Sequence, residues 1–353
     1  MDTGSGLQLA RPAFVPDSRP AADLLVELAR AEAASGGRLT ILTLGTLTNV
    51  ATAAAAEPDL PSQVNLVSML GAVRVPGNVT TQPGAPTAEW NAHADPTAVR
   101  RVLEAGFDWT LVPLDATNSA PLGPELFGEL AKGHEAGPAD LVFELWARNP
   151  YMTAGGFYLW DPLASAIARD PTIAAIQPLR LSVTEGAGLD GGRLREDSAG
   201  YPVSVALSAD RARFEALLLD RLRRGPPRSN AFTAVGRVTI TAGPDRCDVR
   251  LDPAKPSAGL LEVDLANAGS EPVNAIVFEL GGVIWPVVVS FVKTFDPAAS
   301  PPPVNVLGQV GAEPGASTTT YATSPPGQLG VACFTGSADD PAITLAGPFP
   351  IGP

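Results

Sequence analysis

At 353 residues the chain exceeds a comfortable single-domain size, so two domains are the first expectation. Its formal net charge of −13, with Lys and Arg scattered and no basic stripe, argues against nucleic acid as a partner. Gly (35) and Pro (36) are spread between clear apolar segments, which fits a loop-rich globular protein and not a disordered one.

Residues 21–34, rich in Ala, Leu and Glu with apolar spacing of three and four, predict an amphipathic helix. A short apolar strand follows at 39–44, ending at Gly45, and then a helix at 47–56. A strand is expected at 64–70. Next come a helix at 96–104, with Asp95 as its N-cap and Pro96 in its first turn, and a strand at 109–114. This βαβα order predicts an α/β domain with a mostly parallel sheet flanked by helices. Further helices are expected at 124–132, 138–147 and 162–169, late strands at 179–183 and 202–206, and a closing helix at 209–224.

At 225–230 the texture changes. Short apolar runs at 238–240, 260–265, 276–280, 287–292 and 329–334, punctuated by Gly, Pro, Asn and Ser, predict an all-β sandwich with no helix. The boundary falls at about residue 228, giving an α/β domain over 1–227 and an Ig-like or cupredoxin-like accessory sandwich over 228–353. The apolar stretch 273–292 is long enough to cross a membrane. It contains Glu279, Pro286 and the pair Gly281-Gly282, however, so it reads as two strands joined at that pair, with no membrane span.

The first residues, MDTGSGLQLARPAFVP, carry neither the charged nor the apolar region of a secretory signal. Cys247 and Cys333 are either a disulfide between distant strands, which implies an oxidising compartment outside the cytosol, or two buried thiols. With His93 and His134 so far from each other and from the cysteines, these residue types build no metal site. Copper is excluded from the β domain, which has no histidine. His93 reads as a half-exposed loop residue, and His134 carries no functional signal.

The run 76–95, PGNVTTQPGAPTAEWNAHAD, is the most informative segment. It brings Asn78, Glu89 and Asn91 into one loop after a strand and before a helix, where open α/β sheets bind ligands. Amides beside a carboxylate suit a polyhydroxylated ligand, because each hydroxyl needs a donor and an acceptor. Together with TLGTLTNVA (43–51) and LWDPLASA (159–166), this run resembles the nucleoside hydrolase family over about residues 1–223.

The resemblance implies calcium-dependent hydrolysis of the N-glycosidic bond of ribonucleosides. Asn78, Glu89 and Asn91 fall where that family grips ribose, and Asp161 and the backbone carbonyl of Leu44 fall where it ligates the metal. Trp160 stands where pyrimidine-type and broad-specificity members carry a histidine. It is similar to purine-preferring members, in which the indole packs against the base, so the implied substrate is purine-leaning.

The family's aspartate-rich opening, which supplies two metal ligands and the general base, has no counterpart here. MDTGSGLQL resembles a later segment of the fold, and Asp2 and Asp17 do not follow apolar strands. The expectation is an N-terminally truncated hydrolase with an incomplete calcium site and little turnover. The alternative is a non-catalytic ribose- or nucleoside-binding or surface-interaction protein on the same scaffold. A small-molecule nucleoside is the expected partner, together with a possible homo-oligomer and an unknown partner for the sandwich.

Overall fold

The computed structural model describes residues 15–80, 87–153, 156–226, 233–293, 304–337 and 340–353. The expected domain boundary at about 228 and the opening run MDTGSGLQL both lie outside the described residues. The chain divides into two compact units that are not simply successive. One is built, among the described residues, from residues 15–121 together with Tyr158–Leu218. The other comprises Leu122–Phe157 and Leu219–Pro353.

The first unit is α/β. Its strands are β1 (Leu39–Thr43), β2 (Val64–Met69), β3 (Asp108–Val112), β4 (Ala174–Val183), β5 (Leu194–Glu196) and β6 (Tyr201–Ala209). They form one sheet in the order β1-β2-β3-β6-β4-β5. β1, β2, β3 and β6 run parallel, while β4 and β5 add an antiparallel hairpin at one edge. β2 is buried along nearly its whole length, as a central strand of a parallel sheet must be. The core joins Leu66, Leu111, Val203 and Val205 of the sheet to Val50, Val99, Val102 and Leu103 of the helices Thr48–Ala56 and Pro96–Ala105.

The second of these helices begins as its sequence dictates. The Asp95 carboxylate accepts from Ala98 N (3.0 Å) and Pro96 occupies the first turn. It ends at Gly106, whose φ of +73° only glycine adopts at little cost.

Among the described residues the second unit holds eight strands: β7 (Ala234–Gly243), β8 (Arg246–Asp252), β9 (Gly259–Asn267), β10 (Val273–Glu279), β11 (Asn305–Ala312), β12 (Ser317–Ser324), β13 (Gly327–Ser337) and β14 (Asp340–Ile351). Two four-stranded sheets, β12-β9-β7-β8 and β11-β10-β13-β14, enclose one core, with Ile240, Val263 and Leu265 from the first meeting Ala275, Val277 and Val331 from the second. One pairing, β7 with β9, is parallel. Cys247 of β8 and Cys333 of β13 are disulfide-bonded, so the bridge ties one sheet to the other.

The same unit takes in the helices Pro124–Ala131, Ala139–Ala147 and Pro150–Thr153. The rings of Phe127 and Phe143 stand edge-on to Tyr321 of β12, with centroids 5.6 and 4.9 Å away. Thr323 Oγ1 donates to the Ala147 carbonyl (3.3 Å).

One expected strand is corrected. Residues 287–292 are not a strand but part of the helix Trp285–Lys293, so the β domain does contain a helix of its own. Pro286 fits the first turn of a helix, whereas in a strand it would lack the N–H that the ladder needs. The helix buries Val288 against Phe278 and Leu280 of the neighbouring sheet. Its run of valines imitates strand composition, but packing overrides that propensity. Among the described residues no helix is long and apolar enough to cross a membrane.

Candidate functional site

The carboxyl ends of β1, β2 and β3 form a rim, and every site residue read from the sequence lies at it or in the segments that follow. Leu44 follows β1 directly, its side chain 42% exposed. Asp161 lies in the first turn of the helix Trp160–Arg169, which packs on β1 and β2. Glu89 caps the short helix Trp90–Ala94, with Asn91 one turn-position behind it, and Asn78 lies in the loop that leaves β2.

Glu89 is the best-anchored of these residues. Its side chain is 2% exposed, and its carboxylate accepts three backbone N–H groups. Oε2 takes Gly71 N (2.8 Å) and Ala92 N (3.1 Å), and Oε1 takes Asn91 N (2.9 Å). Burial pushes the Glu89 carboxyl above its ordinary range in spite of these donors, and the charge of Asp161 adds to the shift. Asp161 is half-buried, and burial raises its carboxyl too. Its carboxylate accepts no hydrogen bond from the described residues, unlike Glu89; only its backbone carbonyl is engaged, by Ser165 Oγ (2.9 Å).

The two amides are each half used. Asn78 Oδ1 accepts from Trp90 N (2.8 Å), which leaves its NH2 as a donor at an exposed position. Asn91 Nδ2 donates to the Met69 carbonyl (3.1 Å), which leaves Oδ1 as an acceptor. With the remaining lone pair on Glu89 Oε1, the rim offers one donor and two acceptors held by backbone anchors, a set that matches a vicinal diol. Trp160 is half-buried beside Tyr158, with ring centroids 5.8 Å apart and planes tilted by 43°.

His93 does not face this chemistry. It is half-buried in the helix Trp90–Ala94, and its Nδ1–H donates to the Gly191 carbonyl (2.8 Å), a structural contact. His134 is buried in the other unit, stacked on Phe143 and bonded through Nδ1 to Asp140 Oδ1 (3.2 Å).

A calcium ion takes about six to eight oxygen ligands. The rim supplies the Asp161 carboxylate, the Leu44 carbonyl and at most the one remaining lone pair of Glu89 Oε1, since Oε2 is filled by two backbone N–H groups. Among the described residues no three His, Cys, Asp or Glu side chains gather into a metal-holding group. The described residues therefore do not amount to a calcium site.

Two residues that organise the rim carry little sequence signal. Asp115, after β3, accepts from Val73 N (2.9 Å) and Arg74 N (2.8 Å). Arg193, at the start of β5, donates to the carbonyls of Thr87 (2.9 Å) and Val73 (3.4 Å). The Pro-Leu-Asp run at a strand end hints at Asp115, but nothing local marks Arg193.

Comparison with known proteins identifies the family of the chain. Residues 2–216 match the family described as inosine-uridine preferring nucleoside hydrolase. The inosine-uridine preferring nucleoside hydrolase of Crithidia fasciculata is 28% identical over 220 residues, 59% of this chain and 67% of that protein. A pyrimidine-specific ribonucleoside hydrolase of a Shewanella species is 28% identical over 232 residues, covering 63% and 72%. The crystal structure of the Bacillus anthracis inosine-uridine preferring nucleoside hydrolase superposes with a TM-score of 0.53 at 30% identity, covering 60% of this chain and 68% of that one. The chain belongs to the inosine-uridine preferring nucleoside hydrolase family, and so to the N-glycosyl hydrolases.

Proposed function

We propose that the rim binds the ribose of a ribonucleoside and serves hydrolysis of its N-glycosidic bond to ribose and free base. The observation that carries this reading is the Glu89 carboxylate, buried, fixed by three backbone N–H groups and raised in part by the charge of Asp161, whose own carboxylate has no hydrogen-bond partner among the described residues. Glu89 and Asn91 accept from the sugar hydroxyls, and Asn78 donates to them. Trp160 lies against the base and favours a purine, whose larger face stacks better on an indole. Asp161 and the Leu44 carbonyl are the family's metal-side groups in this chain, and calcium is the implied ion. These residues alone do not complete its shell.

That shortage of donors favours a second reading, in which the chain binds nucleosides without turning them over. An assay of ribose release from inosine and from uridine, with and without added calcium, separates the two. Calcium-dependent release, faster from inosine, supports the purine-leaning hydrolase. Saturable binding without release supports the second reading, and the absence of both refutes the proposal. The inter-sheet Cys247–Cys333 bridge supports a location outside the cytosol, where disulfides persist.

A further inference from the structure

We propose that Arg193 is a positioning residue for the ribose site: it holds the two arms of the loop that carries Asn78 and Glu89 at a fixed separation. The inference rests on the ribose-binding reading of the rim. The first arm runs from Gly71 to Asn78 and the second from Thr87 to His93. Glu89 needs both, because its N–H donors come from Gly71 on one and from Asn91 and Ala92 on the other.

Arg193 reaches across the arms. Its half-buried guanidinium donates from Nη1 to Thr87 O (2.9 Å) and from Nη2 to Val73 O (3.4 Å). Asp115 accepts the Arg74 N–H at 2.8 Å, so the Val73–Arg74 peptide is held by a carboxylate at its nitrogen side and by a guanidinium at its oxygen side. Burial lowers the Arg193 pKa, the charge of Asp115 opposes that shift and the neighbouring Arg195 adds to it. A planar fork spans two carbonyls, whereas a lysine ammonium is a single point donor on a flexible stem.

The turn between β4 and β5 is stitched to the second arm at two further points. Ala88 N donates to Leu189 O (2.9 Å), and His93 Nδ1 donates to Gly191 O (2.8 Å). Gly192 lets this approach happen, since its φ is +90° and a Cβ there would overlap the Ala92 carbonyl. Arg193 leads directly out of that turn and, of the turn's contacts among the described residues, is the one that touches both arms. It reinforces the direct bonds of Asn78 N to Ala88 O (3.1 Å) and of Trp90 N to Asn78 Oδ1 (2.8 Å).

The test uses the full chain and the variants Arg193→Met and Arg193→Lys, with amide hydrogen–deuterium exchange as the primary readout. Loss of a charge-assisted bond that ties the arms should speed exchange at Gly71 and at residues 88–92 by about tenfold in Arg193→Met. Exchange at Leu66 and Leu111 in the sheet should stay unchanged, and Arg193→Lys should fall between the variant and the native chain. Unchanged exchange at Gly71 and 88–92 would overturn the proposal. So would a uniform rise through the sheet, which would make Arg193 a general fold-stabilising residue. In parallel, inosine binding should weaken about tenfold in Arg193→Met. If the native chain does not bind inosine, the ribose reading fails, while the exchange data still decide whether Arg193 sets the loop.

Discussion

Replacing Glu89 tests how the rim is built. Glu89→Ala removes the acceptor of three backbone N–H groups at once: those of Gly71 and Ala92, both buried, and that of Asn91, half-buried. An N–H left unsatisfied in the interior costs about 1–3 kcal/mol. Removing the buried carboxylate also removes its own desolvation cost, so the net loss should be about 2–4 kcal/mol. Glu89→Gln keeps one oxygen, which can serve Gly71 and Ala92, but its NH2 then faces the Asn91 N–H. Its cost should be smaller, about 1–2 kcal/mol. For a unit of about 150–250 residues each kcal/mol moves the midpoint by about 2–4 °C, so calorimetry should find the α/β transition roughly 5–15 °C lower in the Ala variant. The Gln variant should lie between Ala and native. An Ala variant melting within about 1 °C of the native chain, or a Gln variant less stable than Ala, would refute the reasoning.

Three further outcomes follow from particular residues. Burial raises the carboxyls of Glu89 and Asp161, so between the unfolded carboxylate range near about 4 and their raised native values the folded chain binds more protons than the unfolded one. Their contribution to stability therefore declines as pH rises through that window, and in Asp161→Asn the midpoint should fall less steeply with pH than in the native chain; parallel slopes would count against it. Reducing the Cys247–Cys333 bridge, whose ends are 86 residues apart, should cost the β-rich unit up to about 4–5 kcal/mol. Thiol counting on the unreduced, denatured chain should find no free thiol, and two would contradict the bond. Tyr321→Ala strips the ring that Phe127 and Phe143 stand against and should destabilise the same unit by about 2–4 kcal/mol in denaturant melts. A change under about 0.5 kcal/mol would mean those helices do not depend on β12.

Much of the α/β unit was legible because its signals are local. The Asp95-Pro96 cap, the buried run of β2 and the Gly45 turn each act within a few residues of themselves, and the structure places all three as expected. Glu89, Asn78 and Asn91 could be found because they sit in one short stretch. Their partners could not: Gly71, Met69 and Trp90 supply backbone atoms, which leave no trace in residue type. Arg193 lies 106 and 120 residues from the two carbonyls it joins, so only the closed sheet brings them together. The grouping of the helices Pro124–Ala131 and Ala139–Ala147 with the sandwich was hidden for the same reason, since it depends on Tyr321 far along the chain. The helix Trp285–Lys293 was misread because a valine run has strand composition, and its proline was the local clue that it starts a helix.

The central claim is that the rim recognises ribose, and calorimetric titration of the full chain with inosine, with and without calcium, tests it most directly. The account predicts saturable binding that free ribose competes away, weakened about tenfold or more in Asn91→Ala, which loses one hydroxyl acceptor and the Met69 anchor. Inosine that fails to bind under either condition, or that binds equally well to Asn91→Ala, would contradict it.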